Sequence, residues 1–405
     1  MYLTKDEEAL LRGEEGEAKR LAMEILVALG DIYGAERMVK VDSVHISGTS
    51  YTSCGDAGIH FLSRLVRSGA KLAVPSTLNP VSIPLNRWRE LGFPERLAAK
   101  QLEILSLYKL MGAAGGYTCH PYLVGNVPRY GSHISWAESS AIVYANSMLG
   151  ARTNREGGIG ALASALVGLT PLYGYHLAEN RRATVKVEVE AELIDALDYS
   201  LLGYAIGELI IDGVPLIAGL PSQAGLDELK AMGASMATSG SIALFHALNL
   251  TPEAGLMKDE GLPKLTIDSS MLKQVREKLS SNGGLTVDCV ALGCPHLSLS
   301  ELKRIASFLE GRKVKEGVRL WLFTSEGIKR LGEEAGYVDI IEAAGGRILT
   351  GGCVVHTPLE EIGVEVLATN SAKAAHYCLS LHEVKVCIGS LKECLEAALT
   401  GRWVY

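Results

Sequence analysis

Residues Leu285 to Leu309, LTVDCVALGCPHLSLSELKRIASFL, decide the fold of the chain around them. The stretch begins as an apolar, β-branched run that predicts a buried strand over 285–292. It breaks at Gly293-Cys-Pro-His296 and resumes with apolar residues at helical spacing, where Ser298 and Glu301 form a capping box that predicts a helix start. Ligands of open α/β sheets bind in the crevice beyond the carboxyl ends of the strands. The pattern therefore places the Cys294 thiol where a ligand would bind.

The same alternation of strand and helix continues to the end of the chain. Further strands, each followed by a helix or a glycine-rich turn, are predicted at Arg319–Phe323, Arg347–Leu349, Val364–Ala368 and Val384–Ile388. Such units indicate a parallel sheet that helices cover on both faces. The N-terminal part is less regular, and there we predict strands that include Val39–Ile46, Leu72–Val74 and Leu209–Ile211.

These patterns predict a multi-domain α/β fold of parallel sheets flanked by helices. Residues 251–264 are rich in proline, glycine and charge, and we interpret them as a linker. We therefore expect an N-terminal α/β region at 1–255 and a C-terminal doubly wound α/β domain at 256–405.

Composition excludes several classes of protein. Of the 405 residues, 48% are hydrophobic and 21% are charged, which describes a well-buried globular protein. The formal net charge of -7 argues against nucleic acid or an anionic membrane surface as a partner, because both require a basic face. The N terminus is acidic and amphipathic, unlike a secretory leader, and the sequence contains no run of about 18 uncharged apolar residues. We expect a cytoplasmic protein.

Three of the eight cysteines lie in loops of similar character. Cys119 follows Tyr117-Thr118, Cys294 follows Gly293, and Cys353 follows Gly351-Gly352. Three converging thiolates are one short of the four that close a zinc or iron–sulfur site, so an iron would remain open to substrate. An open iron is a Lewis acid, which suits the elimination of water from a hydroxy acid. The wide spacing does not decide between this and three inert thiols.

Other candidate residues have a purely structural interpretation, and some have a functional interpretation as well. Cys378, Cys387 and Cys394 lie in apolar settings that predict core packing. Glu138 is either a general acid or base or a solvated carboxylate at a helix start. Arg152 and Arg155 either clamp a carboxylate or phosphate or belong to an exposed cationic loop. No dinucleotide-binding, P-loop or nucleophile-elbow motif competes with these candidates.

Several long motifs together resemble the aconitase X family, and the resemblance runs over the whole chain. They are His45-Ile-Ser-Gly-Thr-Ser-Tyr51, Gly55-Asp-Ala-Gly58, Thr77-Leu-Asn79, Tyr117-Thr-Cys-His-Pro-Tyr122, Gly125-Asn-Val-Pro128, Trp136-Ala-Glu-Ser-Ser-Ala141, Tyr144-Ala-Asn-Ser-Met-Leu-Gly-Ala-Arg-Thr-Asn-Arg155, Gly293-Cys-Pro-His-Leu297 and Gly351-Gly-Cys353. One departure is Pro84, close to where the family often has an acidic residue, which weakens a substrate role for that loop.

The resemblance implies an aconitase-like iron–sulfur hydro-lyase with a 4Fe-4S cluster in which the protein leaves one iron without a ligand. It implies Cys119, Cys294 and Cys353 as the cluster ligands and His45 and Glu138 as catalytic residues. The residues implied to bind substrate are Ser47, Gly48, Thr77, Asn79, Ser139, Arg152, Asn154 and Arg155.

The resemblance also implies a substrate and a partner. Archaeal members without a fused small domain imply dehydration of (R)-5-phosphomevalonate, a phosphorylated hydroxy acid, to trans-anhydromevalonate 5-phosphate in a modified mevalonate pathway to isoprenoids. The sequence holds no clear candidate for the proton-abstracting serine of aconitase-type enzymes, so we expect a small subunit to supply it in a heterodimer. Two alternatives stay open, namely a cis-3-hydroxy-L-proline dehydratase and a non-catalytic scaffold stabilised by zinc.

Overall fold

The computed structural model describes residues 1–281 and 284–404, which form two compact units. The first unit consists of Met1–Val81, Pro94–Arg182 and Thr251–Glu253. The second consists of Ser82–Phe93, Ala183–Leu250 and the described residues from Ala254 onward. The chain therefore passes between the two units several times.

The first unit contains a short parallel sheet among helices. Its elements in chain order are α1 (Lys5–Leu11), α2 (Glu17–Ile32), β1 (Met38–Lys40), β2 (Val44–Ile46), α3 (Tyr51–Arg67), β3 (Ser76–Leu78), α4 (Glu95–Met111), β4 (Ser135–Trp136), α5 (Ser139–Ser147), α6 (Gly158–Val167) and β5 (Leu169–Pro171). Strands β3, β2 and β4 are parallel in that order, whereas β1 and β5 form an antiparallel pair. The parallel strands end together at Ile46, Leu78 and Trp136, so one edge of the sheet collects the loops that follow them.

The second unit contains two parallel sheets. Its elements are β6 (Val185–Val189), α7 (Ala196–Leu209), β7 (Pro215–Ala218), α8 (Leu226–Gly240), β8 (His246–Ala247), β9 (Lys264–Ile267), α9 (Ser269–Lys278), β10 (Cys289–Leu292), α10 (Leu299–Leu309), β11 (Arg319–Thr324), α11 (Glu326–Glu334), α12 (Tyr337–Ala344), β12 (Arg347–Thr350), β13 (Val366–Thr369), α13 (Ala372–Leu381), β14 (Lys385–Ile388) and α14 (Leu391–Thr400). The strand order is β8-β7-β6-β9 in one sheet and β12-β11-β10-β13-β14 in the other.

The larger sheet is doubly wound, and the order in which its parallel strands are added reverses at β10. From β10 the chain adds β11 and β12 on one side, and it then adds β13 and β14 on the other. Leu292 of β10 packs with Leu302, Ile305 and Leu309 of α10 in one buried cluster, because the apolar spacing of α10 turns one face of that helix to the sheet. A topological switch point at the carboxyl ends of such strands is the usual place for a ligand.

The prediction of an α/β fold with parallel sheets flanked by helices is confirmed. The capping box of Ser298 and Glu301 is present at the start of α10. The domain boundary predicted after residue 255 stays a prediction. None of the helices in the described ranges is long and apolar enough to cross a bilayer.

Three predicted strands of the N-terminal part need correction. The strand predicted over Val39–Ile46 is two separate strands, β1 and β2. No strand lies at Leu72–Val74, because the backbone there donates to Met111 and Ala165 rather than to a sheet, and β3 begins at Ser76. The strand predicted over 209–211 is wrong because α7 runs through Leu209, and the Asp212-Gly213 turn follows it.

The predicted linker at 251–264 begins with residues of the first unit. Thr251–Glu253 is part of that unit, and the Glu253 carboxylate accepts hydrogen bonds from the buried guanidinium of Arg181, the shortest of them 2.6 Å. Arg181 also donates to the Asn146 side chain and backbone at 3.1 and 3.0 Å. A proline- and charge-rich segment therefore contributes a buried ion pair, which its composition did not indicate.

Candidate active site on two sheet edges

His45 lies in the centre of the parallel sheet of the first unit. Its β2 position is opposite Thr77 of β3, and its Nδ1 atom is 2.9 Å from the Thr77 hydroxyl. The Asn126 amide donates to the same hydroxyl at 2.9 Å and to the Val44 carbonyl at 3.1 Å. His45 is completely buried, which lowers its pKa to about 4, although the nearby Glu138 and Asn79 side chains act in the opposite direction. The imidazole is therefore neutral at pH 7.

Glu138 follows β4 and caps the N terminus of α5. Its carboxylate accepts hydrogen bonds from the Ala141 backbone at 2.7 Å and from the hydroxyls of Ser140 and Ser139 at 2.6 and 3.4 Å. The side chain is only 6% exposed, so the alternative of a solvated helix-start carboxylate does not fit. Three donors and the helix N terminus stabilise its negative charge.

The loop after β2 carries Ser47 and Gly48 and is held from two sides. The Gln101 side chain of α4 donates to the Thr49 carbonyl at 2.8 Å and accepts from the Tyr51 backbone at 3.0 Å. On the other side, a Cβ atom added to Gly158 would lie 2.5 Å from the Ser47 carbonyl oxygen, so only glycine lets α6 approach this closely. Gly48 has a positive φ of 71°. The conformation of this loop therefore depends on Gly48 within it and on Gly158 of the neighbouring helix α6.

Asn79 and Cys119 lie together beyond the end of β3. The Asn79 backbone donates to the Ile46 carbonyl at 2.9 Å, and the Thr118 backbone donates to the Leu78 carbonyl at 3.0 Å. Cys119, the next residue, is 8% exposed. The structure thus brings Ser47, Asn79, Glu138 and Cys119 to the carboxyl edge of one sheet, as expected for a ligand crevice.

Arg152 and Asn154 hold the backbone of their own unit. The Arg152 guanidinium donates to the His176 carbonyl at 3.0 Å. The Asn154 amide donates to the Tyr173 carbonyl at 3.1 Å, and its oxygen accepts from the Tyr175 backbone at 2.8 Å. Both side chains therefore fix the turn at 173–176, whereas Arg155 is exposed. Their predicted contacts with substrate stay a prediction.

Cys294 and Cys353 occupy neighbouring loops in the second unit. Cys294 follows β10 at the switch point, and Cys353 follows β12. The His296 Nε2 atom is 2.8 Å from the Gly352 carbonyl, so the two loops are joined directly. Burial raises the pKa of the Cys294 thiol, and Cys353 raises this pKa further, whereas Lys373 and Ser371 act in the opposite direction.

The sequence of this chain matches the models of one protein family. Its models cover almost the whole chain, with the aconitase X first domain at residues 1–179, the second domain at 183–277 and the third domain at 287–400. The chain belongs to the aconitase X family. Two of the candidate cluster cysteines thus lie in the third aconitase X domain and one in the first.

Two groups of relatives in the aconitase X family are similar to this chain, phosphomevalonate dehydratase large subunits and cis-3-hydroxy-L-proline dehydratases. The phosphomevalonate dehydratase large subunit of Methanothermobacter thermautotrophicus is 51% identical over 93% of this chain and 94% of its own length. The protein of the same name from Methanocaldococcus jannaschii is 44% identical over 98% of this chain and all of its own length. The cis-3-hydroxy-L-proline dehydratase of Pseudomonas aeruginosa is 40% identical over 98% of this chain and 70% of its own length.

A solved aconitase X structure has the same fold. The crystal structure of aconitase X from Thermococcus kodakaraensis, described as a holo-form, superposes with a TM-score of 0.92 at 43% identity. It covers 98% of this chain, which in turn covers all of that chain. The aconitase-like fold class inferred from the sequence motifs is therefore confirmed.

The side chains that could bind a metal are spread over both units of the chain. Over residues 1–281 and 284–404, no group of three or more His, Cys, Asp and Glu side chains is arranged to hold a metal ion. Cys294 and Cys353 nevertheless lie close enough in the second unit to influence one another electrostatically, and both are partly exposed. Two thiols on joined loops fit an iron–sulfur group in the type of donor, since thiolate is its usual ligand. Cys119 belongs to the first unit.

Sequence reasoning missed several residues that shape this site. Gln101 and Lys230 are buried polar side chains on segments that gave no motif, and each bonds the backbone of a site loop. Asn126 lies within the Gly125–Pro128 motif, but its contact with the Val44 carbonyl was not predicted. Glu156 is 6% exposed, and burial raises its pKa to about 7. A polar residue at an apolar helix position is the only signal that could have marked Gln101 and Lys230. The core packing predicted for Cys378, Cys387 and Cys394 is confirmed.

Proposed function

We propose that this chain is the large subunit of a hydro-lyase that dehydrates (R)-5-phosphomevalonate to trans-anhydromevalonate 5-phosphate. The observation that carries the choice of substrate is the 51% identity over 93% of the chain with a phosphomevalonate dehydratase large subunit. Identity with the hydroxyproline enzyme of P. aeruginosa is 40%. Both reactions break a C–H and a C–O bond and form a double bond, so the common fold supports either.

The iron–sulfur cluster is part of this proposal. Cys119, Cys294 and Cys353 would hold it, with one iron left without a protein ligand. When bound, the cluster would supply a Lewis acid for the hydroxyl group that leaves. The loops that carry Cys294 and Cys353 are joined by the hydrogen bond between the His296 ring and the Gly352 carbonyl.

His45 and Glu138 are proposed as the catalytic pair of the first unit. Because its pKa is about 4, His45 is uncharged at pH 7 and can donate or accept one hydrogen bond without adding a positive charge. Glu138 is held as a hydrogen-bonded carboxylate and lies near enough to favour protonation of His45. This pair suits orienting the hydroxyl group of the substrate and the released water.

The loops around the pair are proposed to bind the two anionic ends of the substrate. Ser47, Gly48, Thr77, Asn79 and Ser139 would provide neutral donors, and Arg155 a cation. Arg152 and Asn154 would act by holding the loop that presents Arg155, because their own polar groups bond the backbone at 173–176. A bidentate arginine contact is well suited to a carboxylate or a phosphate.

A small subunit is proposed to supply the base. Members of this family named large subunit imply such a partner, and we propose that it brings a serine whose alkoxide abstracts the proton. Full dehydratase activity of the purified large chain alone would contradict this division of the site.

The experiment is anaerobic reconstitution of the chain with iron, sulfide and the small subunit, followed by assay of two substrates. We expect turnover of (R)-5-phosphomevalonate and none of cis-3-hydroxy-L-proline. The reverse preference would establish the second candidate. A colourless protein with one zinc per chain and no turnover of either substrate would indicate a scaffold instead.

A further inference from the structure

Lys230 of α8 is a buried cation beneath the loop that carries Cys294. The residue is 5% exposed, and its ammonium contacts the Glu301 and Asp227 carboxylates and the His296 carbonyl, the last at 3.4 Å. Burial alone would lower the pKa of Lys230, but the two carboxylates outweigh it and raise this pKa, so the side chain stays charged. His296 is two residues beyond Cys294.

The two carboxylates that pair with Lys230 are themselves tied to the end of the same loop. Glu301 accepts from the Ser298 backbone at 2.8 Å as part of the capping box of α10. Asp227 accepts from the Ser298 hydroxyl at 3.0 Å and from the Arg304 guanidinium at 2.9 Å. Lys230 and the carboxylates together hold the loop from His296 to Ser298 against α8.

Helix α8 is a rigid support for this contact. It packs against α7 backbone to backbone, since a Cβ atom added to Gly203 would lie 2.1 Å from the Met232 carbonyl oxygen. A Cβ atom added to Gly240 would meet the Gly207 carbonyl at the same distance. A helix held this closely cannot shift without opening the α7–α8 contact.

From His296 the connection continues to the second cysteine loop. The His296 ring bonds the Gly352 carbonyl at 2.8 Å, and Cys353 is the next residue. Gly352 itself lies against the backbone of Pro84, where an added Cβ would be 2.9 Å from the nitrogen. Lys230, His296 and Gly352 therefore form one continuous line of contacts from α8 to both cysteine loops.

Stability alone does not account for this arrangement. Replacing a buried ion pair with apolar residues of similar volume is often neutral or stabilising, because both charges must lose water. What the charges add is a fixed geometry, since the ammonium can satisfy a backbone carbonyl and two carboxylates at once.

We propose that Lys230 is a positioning residue for the cysteine pair, in which its ammonium fixes the backbone of His296, and His296 fixes the spacing of Cys294 and Cys353. This inference rests on the proposed function in that it takes both cysteines as cluster ligands. The contacts of the Lys230 ammonium that carry this role are those with Glu301, Asp227 and the His296 carbonyl.

The test measures how accessible the cysteines are in the full chain without iron. Lys230→Met, Lys230→Arg and the double variant Lys230→Met/Glu301→Gln are pulsed with N-ethylmaleimide, and labelling of each cysteine is followed by peptide mass spectrometry. We expect Lys230→Met to raise the labelling rates of Cys294 and Cys353 about tenfold, with Lys230→Arg closer to the unaltered chain. The buried Cys394 serves as an internal reference, and Lys278→Met, which removes an exposed ion pair to Glu208, is the matched control.

The double variant separates positioning from stability. Because it leaves no unpaired buried charge, we expect its melting temperature to return close to that of the unaltered chain while the two cysteines stay about tenfold more reactive. If the double variant also restores the original labelling rates, or if Lys230→Met leaves them unchanged, the positioning role is overturned. Iron bound per chain after reconstitution should fall in the same variants. An unaltered chain that binds no iron would overturn the proposed function, whereas the labelling ratio decides the role of Lys230.

Discussion

The sheet edges of the two units differ in how the loops that follow their strands are held. On the edge of the second unit, Lys230, Glu301 and His296 each have close partners that tie the cysteine loops to α8 and to one another. In the first unit, Glu156 Oε1, Arg152 Nε and His176 Nε2 are buried without a hydrogen-bond partner in the described part of the chain. The second unit has such atoms as well, at Asp288 Oδ1 and Thr369 Oγ1.

This difference indicates two ways of building a site. A regular doubly wound sheet provides a rigid edge, and a few ionic contacts then fix the ligand loops. The three short strands of the first unit provide less support, so its loops depend on side chains such as Asn126 and Gln101. A buried polar group without a partner needs an explanation, and a functional role is one such explanation.

The largest effect should come from replacing one of the cysteines proposed as cluster ligands. We expect Cys119→Ala, Cys294→Ala and Cys353→Ala each to lower dehydratase activity by about a hundredfold or more and to lower bound iron equally. Cys394→Ala is the control, since that thiol lies in the core. Iron content and turnover measured together check the result. Normal iron in Cys119→Ala would show that the first unit supplies no ligand.

The next largest effect concerns the buried ion pair of the first unit. Arg181→Met should destabilise the protein by about 3–5 kcal/mol in urea unfolding, because it leaves the Glu253 carboxylate buried and unpaired. The matched change in the second unit, Arg276→Met, removes a partly exposed pair with Glu393 and should cost about 1 kcal/mol or less. Equal losses in the two variants would contradict the contrast between these ion pairs.

Glu156 should make the protein less stable as the pH rises. Burial raises its pKa to about 7 in the folded chain from 4.5, so the folded state holds a proton that the unfolded state releases. Stability should therefore fall between pH 4.5 and 7 and level off above it, by about 3 kcal/mol in total. Glu156→Gln should abolish this fall, as measured by urea unfolding at pH 5 and pH 8. An unchanged slope in the variant would assign the dependence to other groups.

His176 should act in the opposite direction to Glu156, with a slightly smaller effect between pH 7 and pH 5. Burial lowers its pKa to about 3, and His133, Arg181 and Arg152 lower it further, so the folded chain keeps the imidazole neutral. The contribution of the neutral His176 to stability is complete above pH 6.5 and is lost as the pH falls toward 3. This loss of stability amounts to about 2 kcal/mol at pH 5. His176→Asn should flatten the acid limb of the stability curve between pH 7 and pH 5. A limb as steep as before would exclude His176 as its source.

Much of the second unit was predictable from local pattern. The strands and helices around Cys294 were found because apolar spacing, capping residues and glycine turns all indicate the same elements there. The same reasoning misplaced β3 in the first unit and took the end of α7 in the second unit for a strand, since short apolar runs do not distinguish strand from helix. The proposed site residues were located by motif, whereas Gln101, Lys230 and Glu156 were not.

By itself, the sequence determined the α/β class, the turn that carries Cys294, and the family to which its motifs belong. Those properties depend on residues close together in the chain, where periodicity and capping act. Only the tertiary structure decided that Glu253 pairs with Arg181, that Asn154 holds a backbone turn, and that Lys230 reaches the loop of Cys294. Each of these contacts joins residues 19 to 72 positions apart. The cost or gain of burying a polar group depends on partners that only the folded chain brings near.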